Sequence, residues 1–155
     1  MKYKIGELLC VAAVIVFIAF SLSLNSTTEK SAEEIGLEIA EQIDISGLAE
    51  RDGLFFKKTF DRSADEFDSV MYYSSDDVMN VSEMLVIKLA DASPSTEISE
   101  QIEEYVDSRY DTFAAYAPDQ GEMLKNHVLK KKGNVIFMYI GSDEQAALDA
   151  FNSSF

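Results

Sequence analysis

An α+β domain carried behind an N-terminal membrane helix is what this sequence predicts, and three observations predict it. Residues Leu8 to Leu24 form an apolar run without a single charge. Two pairs of strand-like segments, rich in β-branched and aromatic side chains, follow later in the chain. Between the pairs lies a stretch of helical periodicity bracketed by Pro94 and Pro118, the only two prolines. The expected order is helix, strand-strand, long helix, strand-strand, helix, giving a four-stranded antiparallel sheet with helices on one face.

The apolar run extends backwards through Ile5 and Gly6 past Glu7. About 20 apolar residues span the hydrocarbon layer of a bilayer, so residues 5–24 are expected to have the lipid bilayer as their partner. Lys2 and Lys4 precede the run, and Glu29, Glu33 and Glu34 follow it. The positive-inside bias keeps such an N-terminus in the cytoplasm and sends the rest of the chain across the membrane. The expected organisation is therefore an anchor over 1–25, a polar linker over 26–30 and an extracytoplasmic domain over 31–155. The rival reading is a secreted protein whose signal is cut near the small residues Ser21 and Ser23. A lipoprotein signal ending at Cys10 fits badly, because Leu9 stands where a small residue is needed and most of the apolar run follows the cysteine. Cys10 is the only cysteine, so no intramolecular disulfide forms.

The charge narrows the partners. The chain holds 28 acidic and 13 basic residues. Lys2, Lys4 and Glu7 fall in the first 25 positions, which leaves 27 acidic and 11 basic groups, a net of −16. Phosphate backbones and anionic lipid surfaces repel such a domain, and nucleic acid is excluded as a partner.

Each element has a local reason. Ser31 followed by Glu34 makes a capping box, and Ala32, Ile35, Ile39, Ala40 and Ile43 then fall on one helical stripe. Residues 45–53 read as a turn and a short helix, and Leu54, Phe55, Phe56 and Phe60 as an aromatic cluster that docks on the core. Ser69 to Ser74 and Glu83 to Leu89 read as a pair of strands joined by a longer loop. In the long helix Ser93 is the expected cap and Pro94 the first helical residue, with Ile98, Ile102, Tyr105, Val106, Phe113 and Tyr116 at helical spacing. Pro118 ends it near Ala117. Gly133-Asn134 is a two-residue hairpin turn between residues 126–132 and 135–140, and Asp143 opens a last helix bearing Ala147, Leu148, Phe151 and Phe155.

The hairpin sorts its own side chains. With Lys132 opposite Val135, alternation puts Leu129, Ile136, Met138 and Ile140 on one face, expected to be the helix-covered core. Val128, Lys130, Lys132, Phe137 and Tyr139 fall on the other, which mixes aromatics with lysines and is expected to face water or a partner. Lys130, Lys132, Phe137 and Tyr139 are accordingly the candidate interaction residues, offering a docking patch for a protein or an anionic envelope partner.

Catalytic signals are weak. His127 is the only histidine and carries no motif around it. Asp61, Asp65, Asp76 and Asp77 read as solvated turns, because the alternation and central glycine of a calcium loop are lacking. No glycine-rich phosphate loop, CxxC, HExxH or GxSxG occurs, and no cofactor or metal is expected.

The segments VMYYSSDDVMNVSEMLVIKLAD, EQIEEYVDSRYDTFAAYAPDQGEMLKNHVLKKKGNVIFMYIGSD and EQAALDAF resemble an uncharacterised bacterial family, domain of unknown function 4358. The resemblance covers roughly residues 30–155. It implies a small exported protein of Gram-positive bacteria, where many members look like lipoproteins; here a helical anchor stands in place of the lipid-attachment cysteine. It implies no activity and no site residue. The function expected from all of this is a non-enzymatic binding or envelope-associated module; the alternative is a cell-envelope hydrolase using carboxylates. Protease added to intact cells should digest the domain, while the mass of the mature protein should still include Met1; a protected domain or a shortened N-terminus would refute the anchor.

Overall fold

The computed structural model describes residues 27–92 and 94–155. Helix α1 (Ala32–Ala40) is followed by strand β1 (Ala49–Glu50), helix α2 (Gly53–Phe60) and a 3-10 turn at Ala64–Glu66. Strands β2 (Ser69–Ser74) and β3 (Glu83–Lys88) form the first hairpin. Helices α3 (Ser95–Phe113) and α4 (Pro118–Lys125), strands β4 (Val128–Lys132) and β5 (Val135–Ile140), and helix α5 (Glu144–Ser153) complete the described chain. The strands form one antiparallel sheet in the order β1-β2-β3-β5-β4. The chain is thus α+β, as expected, with five strands where four were expected. Among the described residues no helix is long and apolar enough to cross a membrane, and the expected anchor over residues 1–25 lies outside them.

Local signals explain most of the elements. Ser31 accepts from the Glu34 amide at 3.1 Å while the Glu34 carboxylate accepts from the Ser31 amide at 2.7 Å, closing the capping box. Those bonds hold the Glu34 carboxyl below the usual carboxylate range. Ile35 and Ile39 are buried beneath α1, and Gly36 lets the helix lie directly on β2: a Cβ there would meet Met71 Sδ at 1.9 Å. The β4–β5 register is the expected one, with Lys132 opposite Val135 and Leu129 opposite Met138. Gly133 carries a positive φ of 59° in the turn. Asn134 is buried, donates from Nδ2 to the Leu89 carbonyl at 2.9 Å, and accepts the Thr28 amide at 3.3 Å.

Three expectations fail for stated reasons. Residues 45–53 contain β1, whose two residues pair with Ser74 and Tyr73; so short a strand has no period to reveal it. The long helix ends at Phe113, and Pro118 begins α4 at a position where its missing N–H is harmless. Read only as a stop, Pro118 concealed that helix and made β4 start two residues early. The expected cap, Ser93, lies outside the described residues; Pro94 holds the N-cap position.

The largest correction concerns the sheet faces. Helices cover both. Under α1 and α5 lie Ile35, Ile39, Met71, Met84, Val86, Phe137, Tyr139 and Phe151. Under α2, α3 and α4 lie Phe56, Tyr72, Leu85, Ile87, Ile102, Val106, Ile136 and Met138. Phe137 is 0% exposed and stacks on Phe151 with ring centroids 4.9 Å apart, and Tyr139 is 4% exposed. Neither is an interaction residue; both are core. Every residue of β5 is buried, which is the behaviour of a strand apolar on both parities.

One charge is buried with its partners. The Glu83 side chain, 5% exposed, pairs with Arg109, which is 20% exposed. Tyr105 donates to Glu83 Oε1 at 2.8 Å, and Tyr72 donates to Oε2 at 3.0 Å. Arg109 Nη1 donates to the Tyr105 hydroxyl at 3.1 Å. Burial pushes both phenols above the ordinary tyrosine range, so they remain donors, and it pulls the guanidinium of Arg109 down. The cluster sits where β2 ends and β3 begins. The chain enters the domain at the opposite end of the sheet, where Lys88 Nζ donates to the Glu29 carbonyl at 3.4 Å and the Ala32 amide donates to Ser69 Oγ at 2.8 Å.

Removing one member of a buried ion pair leaves an uncompensated charge. Arg109→Leu should therefore cost roughly 3 kcal/mol in chemical denaturation, and adding Glu83→Leu should recover most of that. A double variant less stable than Arg109→Leu alone would contradict the account.

Candidate functional site

The sheet has two edges. β1 is only two residues long. The other edge, β4, is five residues long and pairs with β5 alone. In a two-residue hairpin the flanking pair exchanges both main-chain hydrogen bonds, and bonding alternates from there. Val128, Lys130 and Lys132 therefore turn their amides and carbonyls toward β5, while Leu129 and Lys131 turn theirs outward. The β3 side agrees with this parity, since the Asn134 carbonyl accepts the Leu89 amide at 2.8 Å and so faces β3.

Beside this open edge runs α3. Between them lies a groove of about 480 Å³. Its helix wall carries Thr96, Ser99, Glu100, Glu103 and Glu104, and its strand wall carries Leu129, Lys130 and Lys131. The helix wall follows from spacing: Ile98, Ile102 and Val106 face the core, and the residues flanking that stripe border the groove. Leu129 is half-buried at the base.

The charges around the groove are unequally engaged. Lys131 Nζ donates to Ser95 Oγ at 2.6 Å. Glu103 pairs with His127 Nε2 at 3.0 Å, and His127 Nδ1 lies 2.8 Å from the Leu124 carbonyl. Both ring nitrogens thus face oxygen atoms. The pair marks the end of the groove. Beyond it a second hollow of about 260 Å³ is lined by Val106, Asp107, Tyr110, Leu124, Lys125 and His127. The side chains of Glu100, Glu104 and Lys130 are exposed and make no hydrogen bond or ion pair among the described residues.

The sequence-derived candidates thus part company. Lys130 borders the groove at the edge of β4. Lys132, on the same sheet face as Lys130, donates from Nζ to the Asn152 carbonyl at 3.2 Å and sits 4.5 Å from the centre of the Phe155 ring. Phe137 and Tyr139 are in the core. Glu100, Glu104 and the outward main chain of Leu129 and Lys131 went unnoticed in the sequence. The turn parity could have found the last two, but nothing local says that α3 lies alongside them. His127 stands just before β4 as a paired ring. Asp76 pairs with Arg51 at 2.8 Å, and Asp77 Oδ1 accepts the Met79 amide at 2.9 Å. Among the described residues no three His, Cys, Asp or Glu side chains sit close enough to hold a metal ion.

These features define a class: a doubly covered antiparallel sheet with one open edge beside a helix. The chain belongs to the family described as Domain of unknown function (DUF4358), whose model matches residues 41–141. The match spans all five strands and leaves α1 and α5 outside it. No curated protein and no solved structure matches the chain.

Because Glu100 and Glu104 have no partners, reversing both charges should leave stability within about 0.5 kcal/mol of wild type by thermal melting. A larger loss would mean that they hold the fold.

Proposed function

We propose that this chain is a non-enzymatic binding module, held at the membrane by its N-terminal apolar segment, that grips a protein partner in the groove between α3 and β4 outside the cytoplasm. One observation carries the reading: an open strand edge and a helix wall with unengaged carboxylates flank the same elongated groove. Recognition surfaces combine an apolar base with a few polar groups free to exchange water for a ligand, and Leu129 with Glu100 and Glu104 supplies that combination. An anionic polymer fits this place poorly, because the helix wall would repel it.

The test uses the full chain in intact cells. A photo-crosslinking residue at Ser99 should trap a discrete partner, while the same residue at Leu37, exposed on α1 across the sheet, should not. Equal yields from both positions, or none from either, would refute the groove as the binding site.

A further inference from the structure

We propose that the occupant of the groove is an extended cationic segment of a partner protein, which adds to β4 as a further antiparallel or parallel strand of the sheet. The inference rests on the groove being the binding site and goes beyond it by naming the mode of binding and the chemistry recognised. Three observations converge. The amides and carbonyls of Leu129 and Lys131 face outward, and no main-chain bond to them occurs among the described residues. An extended segment is the one ligand that satisfies such a row without bending it, because its own groups repeat at the same spacing. The groove beside the edge is walled by a helix, so every second side chain of the added strand would point into a cleft and not into water. At that cleft Glu100 and Glu104 stand one helical turn apart without a partner. A segment with Lys or Arg at alternate positions meets them.

The same charges exclude the obvious competitor. A second copy of this chain would bring another strongly acidic domain against this one, and the two would repel. On the outer face of the added strand Lys130 favours neutral or acidic side chains, so alternation of cationic with neutral residues is the preferred pattern.

Full-length protein in neutral detergent is titrated with a fluorescent peptide of alternating lysine and threonine, and with its counterpart of alternating glutamate and threonine. The lysine peptide should bind and the glutamate peptide should not. Glu100→Lys/Glu104→Lys should weaken binding about tenfold more than Glu33→Lys/Glu41→Lys, which changes net charge equally on the exposed side of α1. Lys131→Pro, which removes one outward amide and spares the β4–β5 ladder, should weaken binding by about tenfold, whereas Lys131→Ala should not. In wild-type protein the amides of Leu129 and Lys131 should gain protection from hydrogen exchange when the peptide is added, a measurement that needs no variant to fold. Failure of the lysine peptide to bind, unchanged exchange at both amides, or equal loss from the two charge-reversal pairs would overturn the proposal. If Ser99 still traps a partner in cells under any of those outcomes, the groove stands as the site and strand addition alone falls.

Discussion

The structure depends on two strands that have no polar face. β3 reads EMLVIK and β5 reads VIFMYI, and they lie side by side at the centre of the sheet. A strand with apolar side chains on both parities cannot leave either face to water, since each Leu, Ile or Phe withheld from the core forfeits about 1.5–3 kcal/mol of burial. Two layers of helix are the consequence. α1 and α5 close one face and α2, α3 and α4 close the other. Once the centre is so occupied, the polar and short strands have only the margins left. The lysine-rich β4 and the two-residue β1 are found there.

Position at the margin is what gives β4 its chemistry. The alternation that seats Leu129 against the core also turns its amide and carbonyl away from β5. The helix that covers Ile136 and Met138 on the same face runs past the edge and makes a wall. The groove is therefore a by-product of core packing, and of its charges Glu100, Glu104 and Lys130 are engaged by neither the core nor a neighbouring side chain. The Glu83 cluster shows the contrasting case. There a carboxylate is drawn inside, and two hydroxyls and a guanidinium are drawn in with it, because a buried charge without donors costs several kcal/mol. Glu83 is committed to holding β2, β3 and α3 together, while Glu100 and Glu104 remain available.

Much of the fold was legible. The capping box at Ser31, the stripe of α1, the apolar positions of α3, the Gly133-Asn134 turn and the register of its hairpin all follow from spacing within a few residues. Apart from the helix that Pro118 concealed, the misreadings share one cause. β1, the second helical layer and the core roles of Phe137 and Tyr139 are set by contacts between segments far apart in the chain. Of the site, Lys130 was visible as part of a charge run. Lys132 looked equivalent to it, and only the packing of α5 separates the two by putting Lys132 against the Asn152 carbonyl and the Phe155 ring.

By itself the sequence determined α1, α3 and α5, the four longer strands, the hairpin partners of β5 and β3, and the acidity of the domain, because propensity, capping and alternation act over a turn or a pair of residues. The tertiary structure decided which strand is the open edge, which helix stands beside it, and which carboxylates are spent on the core and which face a groove. Those outcomes depend on how apolar faces from distant segments are closed against one another, and no local pattern records that choice.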